Sequence, residues 1–208
     1  MPQIHWRRFD WGYYLVAGLL PMLLGCQTQT PDSLLTDRPP NIIIIFTDDQ
    51  GYADLGCYGN TKNRTPRMDR LAKEGTRFTS FYAQSVCGPS RSALLTGRYP
   101  FRSKGWGMPA SEITFAELIR EAGYQTACIG KWDVSNRKPI IPRMPNAQGF
   151  HYYFGTLGAN DGGTVAFHEN NQAAGKTSDM ASLTRLYTKQ AIEFLTTTRD
   201  TGKAFVLY

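Results

Sequence analysis

Asn41-Ile42-Ile43-Ile44-Ile45-Phe46-Thr47 is an unbroken run of β-branched and aromatic residues with no polar alternation. A strand with one wet face alternates apolar and polar side chains. A run without alternation needs apolar cover on both faces, which is the condition of a strand inside a parallel sheet. The run therefore predicts a central strand. Working outward, Thr65 as N-cap, Pro66 as first helical residue and Gly75 after Lys73-Glu74 bracket a short helix. A strand over 78–83 is expected next. Thr114 and Glu117 have capping-box spacing ahead of Phe115, Leu118 and Ile119; Gly123 stops that helix, and 124–129 reads as the following strand. Leu183, Leu186, Ala191, Phe194 and Leu195 lie close to helical spacing within 182–197, and 204–208 is a further strand. Strands alternating with helices predict an α/β fold with a mostly parallel central sheet flanked by helices.

Upstream, Arg7 and Arg8 precede an apolar run over 13–24, which Gly25-Cys26 closes. A charged start, a short apolar middle and a small-residue cleavage site make a signal peptide. The run is short of the ~20 residues of a comfortable membrane span, and Pro21 interrupts it. Leu23-Leu24-Gly25-Cys26 also resembles a bacterial lipobox, which implies a diacylglycerol on the Cys26 thiol and Cys26 as the mature N-terminus; an ordinary signal peptide with an incidental Cys is the alternative. The expected organisation is a lipoprotein-type signal peptide over 1–25, a Thr-, Ser-, Asp- and Pro-rich tether over 26–40, and a globular part over 41–208. The protein is expected outside the cytosol, in the periplasm or at the cell surface, held to the membrane through its lipid.

With 41% hydrophobic and 19% charged residues, the composition excludes a disordered or collagen-like chain. The net charge is +6, but Lys and Arg are scattered, so nucleic acid is not an expected partner and an anionic ligand is. With Cys26 lipidated, Cys57, Cys87 and Cys128 remain, an odd number that cannot all pair in an oxidising compartment. His5, His151 and His168 lack zinc-ligand spacing, so structural zinc is not expected.

Ligands of parallel α/β sheets collect beyond the carboxyl ends of the strands. Three polar clusters fall in such places: Thr47-Asp48-Asp49-Gln50, Cys87 to Arg91, and Gly130-Lys131-Trp132-Asp133. Two adjacent carboxylates repel, and a divalent cation is the common remedy; a turn carboxylate followed by a solvated one is the alternative.

The segment Ser85-Val86-Cys87-Gly88-Pro89-Ser90-Arg91-Ser92-Ala93-Leu94-Leu95-Thr96-Gly97-Arg98 resembles the signature of the formylglycine-dependent sulfatases, of the alkaline-phosphatase-like superfamily: C-x-P-S-R, then L-x-T-G-R-like residues. The resemblance implies that a maturing enzyme oxidises Cys87 to an aldehyde, 3-oxoalanine or formylglycine. In the hydrate, one hydroxyl attacks sulfur and expels the alcohol; the second, losing its proton, expels sulfate and restores the aldehyde. Arg91, one helical turn from Cys87, would hold the hydrate and add positive charge. Asp48-Asp49-Gln50-Gly51 resembles the family's first metal-binding pair, which implies calcium, with magnesium as the alternative, on Asp48, Asp49 and the Cys87-derived hydroxyl. Gly130-Lys131-Trp132 resembles the stretch whose Lys contacts the sulfate, which gives Lys131 that role. Gly149 to Gly155 resembles a G-F-D-x-F-x-G element with His151 in place of the acid, so packing or surface is its expected role. His168 is expected in a solvated loop.

Two features depart from the pattern. Many members carry His where Asp133 stands; a carboxylate facing a sulfate anion is repelled unless protonated, paired or turned away, so Asp133 receives no catalytic role. Members also run to several hundred residues, so the resemblance implies a truncated N-terminal portion with a half-built metal site and little activity by itself. The expected activity is hydrolysis of a sulfuric ester, on a sulfated carbohydrate or small molecule. A phosphate or phosphonate ester hydrolase on the same scaffold, or a non-catalytic surface lipoprotein, are the alternatives.

Overall fold

The computed structural model describes residues 39–134 and 141–208. The expected signal peptide, Cys26 with its expected lipid, and nearly all of the expected tether lie outside the described residues. The unit over 40–208 is built on one six-stranded sheet. In chain order its strands are β1 (Ile42–Ile43), β2 (Gln125–Lys131), β3 (Tyr152–Thr156), β4 (Val165–Glu169), β5 (Gln172–Thr177) and β6 (Phe205–Leu207). The helices are α1 (Pro66–Glu74), α2 (Cys87–Thr96), α3 (Pro100–Ser103), α4 (Phe115–Glu121) and α5 (Leu183–Glu193), the last continuing into a π-turn at Phe194–Thr198. The spatial order is β1-β6-β2-β3-β4-β5. The pairings β1/β6, β6/β2 and β2/β3 are parallel, and β3/β4 and β4/β5 are antiparallel. The α/β class and the mostly parallel sheet flanked by helices are thus observed.

Period-two alternation distributes β2 between two cores. Cys128 joins Leu95, Met108, Trp132, Val134, Met144, Phe150, Tyr153, Leu157 and Tyr208 on one side. Ala127, its neighbour, joins Phe194, Phe205 and Leu207 on the other. Phe150 meets the Trp132 ring edge-on and stacks on Tyr208, so the residue after Gly149 ties the end of β6 to the end of β2. Strands β2 and β3 pair in register with Gly130 opposite Gly155. A Cβ on Gly155 would lie 1.8 Å from the Gly130 carbonyl oxygen, so no larger residue fits there without parting the strands.

The helix signals hold in part. Thr114 Oγ1 accepts from the Glu117 amide at 3.3 Å, and Glu117 Oε2 accepts from the Thr114 amide at 2.8 Å, closing the expected capping box on α4. Thr65 stands at the N-cap of α1 with Pro66 first and Gly75 at the C-cap, but its hydroxyl accepts from the Gly56 amide and donates to Asp69 Oδ1 instead of capping.

Three expectations need correction, and one element was not expected. The run 41–47 is not a central strand: only Ile42–Ile43 form strand, and β1 lies at one edge of the sheet with β6 as its partner. Ile44 and Phe46 pack on the core, while Ile43 and Ile45 are 53% and 77% exposed, because one face alone is covered. No strand forms over 78–83. There the phenol of Tyr58 donates to the Phe78 carbonyl and that of Tyr52 to the Phe81 carbonyl, so side chains take acceptors that a ladder would have used. The hairpin β4/β5 was not anticipated; its signal is Asn170-Asn171 between paired Glu169 and Gln172, with Asn170 at a left-handed φ of 51°. His168, expected in a loop, lies on β4.

His151 and His168 are both held below the ordinary imidazole pKa: His151 by burial, then by Arg120 and Lys203, and His168 by burial. The Thr126 amide donates to His151 Nδ1 at 3.2 Å, a bond that needs the neutral ring's lone pair. A folded-state pKa below the unfolded one means that the unfolded chain binds more protons. This stabilisation is therefore present above about pH 6.5 and lost as pH falls through the folded values. Thermal midpoints should fall between neutral and mildly acidic pH, and fall less in a His151→Asn, His168→Gln variant; equal slopes in both proteins would remove these imidazoles as the cause.

Candidate active site

The carboxyl ends of β1, β6 and β2 lead to one place. Asp48 lies past β1, Tyr208 follows β6, and Lys131 closes β2. Helix α2 begins there with Cys87 as its first residue, and a C-capping Gly97 in the left-handed conformation ends it. The three clusters are thereby joined: Lys131 Nζ lies 2.9 Å from Asp48 Oδ2 and 3.6 Å from Asp133 Oδ2, and Arg91 Nη2 lies 3.6 Å from Asp48 Oδ1. Beside them opens a cleft of about 780 Å³, lined among others by Asp48, Asp49, Gln50, Tyr52, Cys87 and Ser90.

Arg91 is 4% exposed. Its Nη1 donates to the Lys131 carbonyl at 2.8 Å and to the Tyr208 hydroxyl at 3.3 Å, and its guanidinium lies over the Phe46 ring. It therefore ties α2 to the ends of three strands. Its hydrogen bonds and ion pair run to those strand ends, so it lies beneath the site as a support. Burial pushes the Tyr208 phenol up to about 12 although Arg91 opposes this, so the hydroxyl stays protonated. Burial also pulls the Lys131 ammonium down, but its bonds with Asp48 and Cys87 and the charges of Asp48 and Asp133 outweigh it. The net shift is upward, and Lys131 is held as a cation.

Cys87 is partly buried and unpaired, as are Cys57 and the buried Cys128. The Cys87 thiol donates to Asp133 Oδ2 at 3.4 Å. Gly88 is dictated by close approach: a Cβ there would lie 1.9 Å from Trp106 Nε1, so the indole rests on the backbone beside Cys87. Trp106 Nε1 in turn donates to Asp133 Oδ2 at 3.1 Å.

Trp106 is a site residue that sequence reasoning missed, and Asp133 is one that it named in the third cluster without giving it a role. For Trp106 the only signal was an aromatic flanked by Gly105 and Gly107. Asp133 was set aside because a carboxylate repels an anion; the structure resolves the objection through pairing, with the carboxylate fully buried against Lys131 and Trp106.

Asp49 lies on the same cleft with a left-handed φ of 54°, a conformation Asp tolerates, so the chain has left its extended path where the carboxylates adjoin. Among the described residues no cluster of three or more His, Cys, Asp or Glu side chains stands ready to hold a metal ion. The donor chemistry nonetheless fits a hard cation: the carboxylates of Asp48 and Asp49 and the side-chain carbonyl oxygen of Gln50 line the cleft, and oxygens are the ligands calcium and magnesium take. These residues would supply fewer than calcium's ~6–8 ligands.

Comparison with known proteins gives a consistent picture. The Sulfatase family model matches residues 40–208. Human arylsulfatase A is 45% identical over 141 residues, covering 62% of this chain and 28% of that protein. Rat N-acetylgalactosamine-6-sulfatase is 34% identical over 206 residues, covering 82% and 38%. Among solved structures, Ps i-CgsB in complex with k-i-k-neocarrahexaose superposes with a TM-score of 0.71 at 30% identity, covering 81% of this chain and 44% of that one. A second, solved with its substrate D-glucosamine-2-N,6-O-disulfate, gives 0.67 at 33% identity, covering 81% and 33%. The chain thus spans between a quarter and a half of the length of each.

Proposed function

From the premise that this chain belongs to the sulfatase family, we propose that it carries the nucleophile-bearing part of a sulfuric ester hydrolase acting on a sulfated carbohydrate. The observation that carries this reading is the convergence of Cys87, Lys131, Asp48 and Arg91 at the carboxyl ends of three strands, beside one cleft. The substrate class follows from the two saccharide-bound structural relatives, one of them with a disulfated glucosamine.

In this reading Cys87 is matured to formylglycine by a dedicated enzyme, and calcium or magnesium is held by Asp48, Asp49 and the modified residue. When present, the aldehyde hydrate supplies two hydroxyls on one carbon, and the cation offsets charge on the sulfonyl oxygens. The chain's own residues provide the remainder. Lys131, kept charged by Asp48 and Asp133, binds an oxygen of the sulfate group. The first turn of α2 presents its amide dipoles toward the same anion. Arg91 fixes the Lys131 backbone and the Asp48 carboxylate, so both charged groups keep their places while substrate binds. Export as a lipoprotein anchored through Cys26 completes the proposal; no helix among the described residues is long and apolar enough to cross a membrane.

Mass spectrometry of the Cys87 peptide tests the reading. Protein made together with a sulfatase-maturing enzyme should carry a peptide about 18 Da lighter, sulfur and two hydrogens having given way to oxygen. An intact thiol under those conditions would favour an inert surface lipoprotein.

A further inference from the structure

We propose that Tyr99, Phe101, Arg102 and Lys104 form a surface outside the cleft that holds the continuing chain of a sulfated polysaccharide while one of its units occupies the site. The inference rests on the sulfated-carbohydrate reading above and extends it from a single ester to a polymer. Tyr99 and Phe101 are 69% and 77% exposed, and their rings are stacked, with centroids 6.2 Å apart and planes 19° from parallel. Large apolar rings gathered in water are costly, and such patches mark contact sites. The Arg102 guanidinium lies over the Phe101 ring at 5.4 Å. Lys104, also exposed, caps the end of α3.

The patch is carried by the helix that bears the nucleophile. The ten residues of α2 span about 15 Å, from Cys87 at its start to Arg98 and Tyr99 just past its end. From there the chain comes back along α2: the Ser103 hydroxyl pairs with that of Ser92, Gly105 lies against Pro89, and Trp106 rests on Gly88 next to Cys87. Neither ring lines the cleft. A polymer that places one sulfated unit at Cys87 and is longer than the cleft has this ridge beside it.

Charge and chemistry select the occupant. Residues 98–104 contain three cations and no acid. Arg98 is taken up by Glu112, whose two oxygens both accept from it; among the described residues Arg102 and Lys104 pair with no carboxylate. A sulfated pyranose matches both halves of the patch. Its C–H face is apolar with slightly positive hydrogens and lies on the negative face of an aromatic ring, and its sulfates meet the cations. A membrane surface is the poorer match, because binding there scales with inserted apolar area and the four residues of α3 offer little.

The test uses full-length protein made without the maturing enzyme, so that no ester is consumed, and calorimetry with dextran sulfate and with glucose 6-sulfate, a single unit. A Tyr99→Ala, Phe101→Ala variant should lose about tenfold in affinity for dextran sulfate and keep its affinity for glucose 6-sulfate, because only a ligand spanning two contacts loses the second. Arg102→Gln, Lys104→Gln, which leaves both rings, should lose about as much and depend less on salt. Wild-type affinity for dextran sulfate in both variants overturns the inference and leaves the sulfate-ester reading standing. A loss in the cation variant alone reduces the effect to charge attraction and overturns the role of the rings. Variants that lose binding to phosphatidylserine vesicles but keep dextran sulfate assign the patch to a membrane and are equally fatal. A wild type that binds neither sulfated ligand overturns the reading of the site and this inference with it. Should the ring variant not fold, Tyr99→Ser with Phe101 kept takes its place, and wild-type polymer affinity in that protein counts against the rings in the same way.

Discussion

Cys87→Ala, in full-length protein produced with a sulfatase-maturing enzyme, should lower turnover of an aryl sulfate by at least about a thousandfold, while substrate-analogue binding falls far less. The separation follows from the geometry. In the proposed reading Lys131 and the first turn of α2 face the anion while Asp48 holds Lys131 in place, and of these contacts only a bond to Lys131 passes through the thiol. In that proposed reading residue 87 supplies the attacking oxygen of the covalent step, and Ala has no atom to offer. Measuring kcat and analogue affinity on the same preparation decides the matter. Residual turnover within tenfold of the wild type would mean that another group attacks the ester, and residue 87 would lose its role as nucleophile.

Arg91→Ala should cost about 3 kcal/mol or more of folding stability, because truncating one member of a buried charged network leaves the others unpaired. The Lys131 carbonyl and the Tyr208 hydroxyl each lose a donor, and Asp48 loses one of its two cations. The packing of the guanidinium on Phe46 is lost as well. For a unit of this size the thermal midpoint should drop by roughly 6–12 °C. A change below about 2 °C would show that the guanidinium is dispensable to the sheet and contributes through the ligand alone.

The helices α1, α2, α4 and α5 and the strands β2 and β6 were legible because their signals are local: Pro66 and Gly75, the Thr114/Glu117 box, and short apolar runs between glycines. What failed depended on partners distant in sequence. The isoleucines at 42–45 looked like an interior strand, but an interior place needs a partner along both edges and cover on both faces, and β1 has β6 along one edge only and Ile43 and Ile45 exposed. The segment 78–83 has β-rich composition, yet phenols from Tyr52 and Tyr58 capture its carbonyls. Cys87, Arg91, Lys131 and Asp48 could be named in advance because motif residues carry their chemistry with them. The place of Asp133 depended on its bond with Trp106, 27 positions away, which no local spacing encodes.

The bonds that assemble the site also fix when it can exist. Lys131 to Asp48 joins residues 83 positions apart, and Arg91 to Tyr208 joins residues 117 apart. A ribosome adding ~5–20 residues per second needs several seconds to deliver the second partner of each pair. Throughout that interval Cys87 belongs to a chain lacking β6, with neither the strand ends nor the buried arginine in place. An enzyme acting on the nascent polypeptide would therefore meet the Cys87 segment as plain peptide, read by its local sequence, whereas one arriving after folding would meet a thiol already bonded to Asp133 at the edge of a cleft.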